Sequence, residues 1–152
     1  MGRISAREMS QRLKTVLSNN WVKNQVQEIV INDQQELKSR KKNEFEFGLL
    51  PNNKKIGQYS NTNYAYKKYS MNSLAGFGQV DLIYSGSFVN SLFVMPTQKG
   101  FIFDTNQEDK QGKLIASYGG DIMGLNQNYF NERQKEVYSK LLIKEISRVL
   151  NR

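Results

Sequence analysis

The sequence predicts an α+β fold with N-terminal helices, a small antiparallel sheet carrying a hairpin, and a C-terminal amphipathic helix. Three observations predict it. Apolar residues recur at helical spacing from Met9 to Leu37, two apolar runs around Val94 and Phe103 flank a turn, and a helical stripe returns from Phe130 to Leu150. At 152 residues the chain has the length of one domain. Residues 1–152 are therefore read as a single domain, with an extended arm or long loop at 48–79.

The first helical segment starts at Ser5, a plausible N-cap before Ala6, Arg7 and Glu8. Met9, Leu13, Val16 and Leu17 share one face, and Ser18-Asn19-Asn20 interrupts the pattern. Val22, Val26, Ile29, Val30 and Leu37 resume it, so this region reads as two helices or one kinked helix, weakest at Asn19-Asn20. Lys38, Arg40, Lys41 and Lys42 stand in the last turns, where cations favour the negative end of the helix dipole. Phe45 and Phe47 then alternate with Glu44 and Glu46 up to Gly48, which suits a short strand or an extended arm.

Residues 48–79 are the least regular stretch. Pro51-Asn52-Asn53 and Ile56-Gly57 are turn signals, and Tyr59, Tyr64, Tyr66 and Tyr69 follow among Asn, Ser, Thr and Lys. A loop of this length is usually functional or disordered, and aromatics are depleted in disordered segments. A docking arm carrying four tyrosines is the expectation.

Beyond it, Val80, Leu82 and Tyr84 alternate, Ser85-Gly86 breaks the run, and Phe88 to Met95 has strand propensity. Pro96 to Gly100 reads as a turn into Phe101-Ile102-Phe103, giving an antiparallel hairpin. Asn106 to Lys113 reads as a polar connection, Leu114 to Tyr118 as a short helix or strand, and Gly119 to Leu125 as a glycine-rich turn. Asn126 or Asn128 caps the last helix, whose face of Phe130, Val137, Leu141, Ile146, Val149 and Leu150 is expected to pack on the hairpin.

The chemistry available is narrow. There is no cysteine and no histidine, which removes thiolate nucleophiles and the commonest general base and metal ligand. Tyr118-Gly119-Gly120-Asp121-Ile122-Met123-Gly124 precedes a helix but lacks the Lys-Ser/Thr of a phosphate loop and the Gly-x-Gly-x-x-Gly spacing. The carboxylates Asp81, Asp104, Glu108, Asp109 and Asp121 are scattered, and nothing in their spacing builds a two-acid or metal site. No catalytic residue, cofactor or metal is expected, and the chain reads as a non-enzyme.

Charge and aromatics point to partners. The formal net charge is +8, and 13 Lys/Arg stand against 6 Asp/Glu before Asp81, a balance of +7. An acidic partner or DNA would meet Lys38, Arg40, Lys41, Lys42, Lys54, Lys55, Lys67 and Lys68. Tyr59, Tyr64, Tyr66 and Tyr69 serve either base stacking or protein docking, since a rigid ring with a polar tip covers area at low entropy cost. No nucleic-acid-binding module accompanies them, so protein docking ranks first. The hydrophobic fraction, 38%, lies under the roughly 45–50% of an average domain, as when neighbours complete a subunit's ordering. No apolar run approaches the roughly 20 residues of a membrane span, and Met1 to Ser10 lacks a secretory core.

At Val80-Asp81-Leu82-Ile83-Tyr84-Ser85-Gly86-Ser87-Phe88-Val89-Asn90-Ser91-Leu92-Phe93-Val94 the chain resembles small neck, head–tail connector and minor tail (tail-completion) proteins of tailed bacteriophages. In that group a segment ending in Leu-x-x-Thr/Ser-Gly-x-Leu/Phe-x-x-Ser-Leu/Ile leads into the first strand of a hairpin. Gly100-Phe101-Ile102-Phe103-Asp104, the Tyr118-Gly119 pair, the Ile122-x-Gly124-Leu125 turn and the terminal helix are similar to that group as well. The resemblance covers about residues 80–150. It implies a virion subunit without catalytic residues, made in the host bacterial cytoplasm and arranged as a ring in the neck or tail. Its partners would be copies of itself and portal, neck or tail proteins, with contact to packaged DNA where the ring surrounds it, and no membrane.

Overall fold

The computed structural model describes residues 5–83, 86–97 and 100–151. Three helices open the chain: α1 (Ala6–Val16), α2 (Asn19–Asn32) and α3 (Gln34–Glu46). Ser5 caps α1 through a reciprocal pair in which its hydroxyl accepts from the Glu8 N–H and its own N–H donates to the Glu8 carboxylate. Ser18 caps α2, accepting from the Trp21 N–H, so the predicted interruption is real. A second break at Asp33 makes three helices rather than two. The Phe45 region is the last turn of α3 and not a strand. Its alternation of Phe and Glu is also the pattern of a helix end, with Phe45 turned fully inward and Phe47 outward.

Residues 48–79 are not an open arm. Gly48 reverses the chain in the left-handed region at φ 64°, where a Cβ would lie 2.1 Å from the Val80 carbonyl oxygen, so only glycine lets the two strands of backbone touch. Paired contacts close the segment at its base, with the Tyr59 N–H donating to the Gly78 carbonyl and the Val80 N–H to that of Gly57. Between them stands α4 (Thr62–Met71), capped by the Asn61 side chain. Ala65 on α4, and Ala75 and Val80 after it, are buried.

Downstream, Ser87–Asn90 forms a short helix, α5, rather than the start of a strand. Then β1 (Leu92–Thr97) and β2 (Gly100–Thr105) pair antiparallel, with Leu92 opposite Thr105, Val94 opposite Phe103 and Met95 opposite Ile102. Both strands of a two-stranded sheet are edges, which is where a strand accommodates Pro96. Val80 and Leu82 lie outside any strand, and Tyr84 falls outside the described residues. Most of the expected polar connection is helical, belonging to α6 (Glu108–Tyr118), and a 3-10 turn occupies Gly120–Met123.

The C-terminal helical region has three parts: α7 (Gln127–Arg133), a π-helical turn (Gln134–Tyr138) and α8 (Ser139–Leu150). Asn126 caps α7 by accepting from the Tyr129 N–H. The core gathers Ile29, Val30, Leu37, Phe45, Phe88, Val89, Leu92, Val94, Phe103, Ile122, Met123 and Tyr138 between α2, α3, the inner hairpin face and the α7–α8 junction. The contact with the hairpin comes from α7, where Phe130 sits 5.3 Å from Phe101, ring centre to ring centre. Helix α8 lies on α1 and α2 instead. Leu141 is thus half-exposed beside Gln25 and Ile29 of α2, not on the hairpin, and Leu142 is the α8 residue packed against the core. Among the described residues no helix is long and apolar enough to cross a membrane.

Candidate docking surface

The sequence places lysines in three doublets, and helix geometry separates the members of the two that fall on helices, because neighbours on a helix differ by about 100°. In α3, Lys41 points inward and Lys42 outward; in α4, Lys68 points inward and Lys67 outward. Lys41 is fully buried and donates to Glu44 at 3.0 Å and to the Gly124 carbonyl at 2.6 Å. Lys68, 3% exposed, pairs with the buried Asp81 carboxylate and also donates to the Ile83 carbonyl. Both are structural ions and are withdrawn from the set of expected DNA or acidic-partner contacts. Lys55 donates to the carbonyls of Phe47 and Ala75, and Lys38 to that of Asn90. Arg40 lies over the Tyr129 ring, with Glu44 3.9 Å away, and Lys42 pairs with Glu46 at 3.7 Å. Lys54 and Lys67 extend into solvent.

The tyrosines divide as well. Tyr59 is half-buried, its hydroxyl donating to the Asp81 carbonyl at 3.1 Å and accepting from the Asp81 N–H, so it fastens the base of the segment. Tyr64, Tyr66 and Tyr69 are exposed on α4. Tyr64 turns to the Tyr59 ring, 5.0 Å away, while Phe77 comes up beside the other two, 4.7 Å from the Tyr66 ring and 5.8 Å from that of Tyr69. Exposed Met71 and Leu74 stand at the end of α4 and in the loop after it. The result is an aromatic surface on a helix that two anchors, the buried Lys68 and the half-buried Tyr59, hold to the body. Sequence reasoning missed Phe77, Leu74 and Met71, although Gly76 and Gly78, both at positive φ, mark a turn that presents Phe77 outward. Between Glu46 and Asp81 the sequence has no Asp or Glu, so the only formal charges around this surface within the segment are lysines.

The carboxylates do not converge. Asp81 is buried against Lys68, Asp104 accepts from the Thr105 N–H, and Asp121 is exposed on the 3-10 turn. Among the described residues no three His, Cys, Asp or Glu side chains gather where a metal ion would sit. A further polar cluster ties α2 and α3 to the C-terminal helices, where Asp33 takes hydrogen bonds from Arg133 and from the Tyr138 hydroxyl, and Tyr129 donates to Glu36. The Asp33 carboxylate, through that hydrogen bond, holds the Arg133 guanidinium still more firmly protonated.

Burial, ahead of the neighbouring acids, pushes the hydroxyls of Tyr59 and Tyr129 up to about 12 and that of Tyr138 higher still. An unfolded tyrosine ionises near about 10. These groups therefore contribute stability that is fully present below pH about 10 and is lost as pH rises through about 12, because the unfolded chain gives up its protons first. In a phenolate absorbance titration these three tyrosines should ionise late and together with unfolding. Tyr138→Phe should flatten part of that alkaline loss, and an unchanged profile would contradict the assignment.

No family model matches the chain, and no curated protein or solved structure matches it significantly.

Proposed function

We propose that the chain is a non-catalytic structural subunit of a tailed-phage virion, part of a ring in the neck, head–tail connector or upper tail. The observation that carries this reading is the α4 surface, where Tyr66 and Tyr69 on the anchored helix and Phe77 in the turn after it lie exposed and in ring contact rather than in the core. Exposed contiguous aromatics on a rigid element are what a docking site needs, since they cover area with little entropy left to lose. The resemblance of residues 80–150 to neck and tail proteins supplies the kind of assembly and its partners, namely copies of the chain with portal, neck or tail proteins.

The test is a Tyr66→Glu, Phe77→Ser chain. Both side chains are exposed, so its unfolding free energy should stay within about 0.5 kcal/mol of the parent's per substitution. Incorporation into particles should be lost. Normal incorporation of the folded variant would remove the docking role.

Contact with packaged DNA is a second reading, favoured by the all-positive charge of the segment between Glu46 and Asp81. Of its four lysines, Lys68 is buried and Lys55 is tied to two carbonyls, which leaves Lys54 and Lys67 to meet phosphate. Binding through so few contacts would be weak and would fall steeply with salt.

A further inference from the structure

The outer face of the hairpin has the wrong sequence for a surface left to water. An antiparallel sheet with one covered face alternates apolar and polar residues, whereas strands covered on both faces read as continuous apolar runs. Leu92-Phe93-Val94-Met95 and Phe101-Ile102-Phe103 are such runs. The described residues of the chain cover one side of them, with Leu92, Val94 and Phe103 in the core. On the other side Met95 stands opposite Ile102 and Phe93 opposite Asp104, with Phe93, Met95 and Ile102 each exposed to about two-fifths.

We infer that this outer hairpin face receives the α4 face of a second copy of the chain, an inference that rests on the docking role proposed above. Charge selects the occupant. The hairpin face carries Asp104, and beyond it the exposed Glu108 and Asp109 open α6, while nearby Lys110 is turned to the Ser87 hydroxyl at 3.2 Å. The α4 face carries Lys67 in a segment without any acid. Packing either face on itself would bring two copies of Asp104, or two of Lys67, into one interface, and like charges gathered in an interface are costly. Packing one on the other brings opposite charges together and covers both sets of apolar side chains. Because the two faces are different, the contact is heterologous and repeats from copy to copy, closing into a ring if the rotation permits.

The chain has no cysteine, which makes thiol cross-linking free of background. Full-length Tyr66→Cys and Ile102→Cys chains, treated with a short bismaleimide, should each remain monomeric alone and should form one covalent dimer when mixed. The chain carrying both substitutions should give a ladder of oligomers. Adding Lys67→Glu to the first partner should lower the dimer yield by about tenfold or more, and adding Asp104→Lys to the second should restore it. Coupling of either single variant to itself, or none in the mixture, overturns the inference. If coupling fails while Tyr66→Glu still blocks incorporation into particles, the α4 docking role stands and only its receptor is wrong. If Tyr66→Glu incorporates normally, the docking role itself has failed.

Discussion

Replacing Asp81 with Ala is expected to cost about 3–5 kcal/mol, because it strands the Lys68 ammonium in a site that water does not reach. Lys68 and Asp81 are 3% and 5% exposed, and Asp81 also accepts from the Ile83 N–H at 3.0 Å. The variant therefore loses an ion pair, takes the Asp81 carboxylate away from a buried ammonium, and orphans a backbone donor worth roughly a further 1–3 kcal/mol. Against a total stability of about 5–15 kcal/mol for a natural domain, that is a large fraction. The urea midpoint should fall at nearly constant slope. The comparison that isolates the charge is Lys68→Met with Asp81→Leu, where both ions leave together. Such paired apolar replacement is often near neutral, so the double variant should be more stable than Asp81→Ala alone. A loss under about 1 kcal/mol for Asp81→Ala would mean that the anchor does not hold α4.

That anchor also explains which parts of the fold could be seen in the sequence. The capped starts at Ser5 and Asn126, the interruption at Ser18, the hairpin around Val94 and Phe103, and the α+β class follow from local rules of capping and periodicity, and they are where the rules place them. The segment 48–79 misleads those rules because apolar periodicity does not fix it. What fixes it is a buried lysine, a half-buried tyrosine hydroxyl and a glycine that lets Val80 come close. A reading that assigns every lysine to solvent takes α4 for a loop and counts Lys41 and Lys68 among surface contacts. The docking surface was partly legible, since Tyr64, Tyr66 and Tyr69 fall on one exposed helix. Phe77 joins them only through the turn at Gly76 and Gly78, a tertiary effect that no spacing rule reports. Leu141 misleads for another reason: the π turn at Gln134–Tyr138 shifts the helical register, so an apolar face traced at constant period through Phe130 no longer marks the buried side in α8.

Glu44→Ala is expected to be the other severe lesion, of about 3–5 kcal/mol, and its pH dependence should identify the cause. Glu44 is 2% exposed and joins two parts of the chain: it accepts from Lys41 in α3 and, at 3.1 Å, from the buried Asn126 N–H that begins α7. Lys41 in turn reaches the Gly124 carbonyl, so the carboxylate and the ammonium together clamp α3 to the glycine turn. Burial lowers the pKa of Lys41 from its ordinary 10.5, and the Glu44 charge and hydrogen bond oppose that shift. Deleting Glu44 leaves burial unopposed, and the folded-state pKa of Lys41 falls further. A lysine whose folded pKa is depressed binds more protons in the unfolded state, so stability rises with pH from the folded pKa up to 10.5. The deficit of Glu44→Ala against the parent should therefore shrink as pH rises toward the ordinary lysine value of 10.5. Glu44→Gln keeps an acceptor for the Asn126 N–H and should fall between the two. A deficit that stays constant over that range would assign the loss to the orphaned N–H and the cavity, and would show that the Lys41 charge is not the source of the penalty.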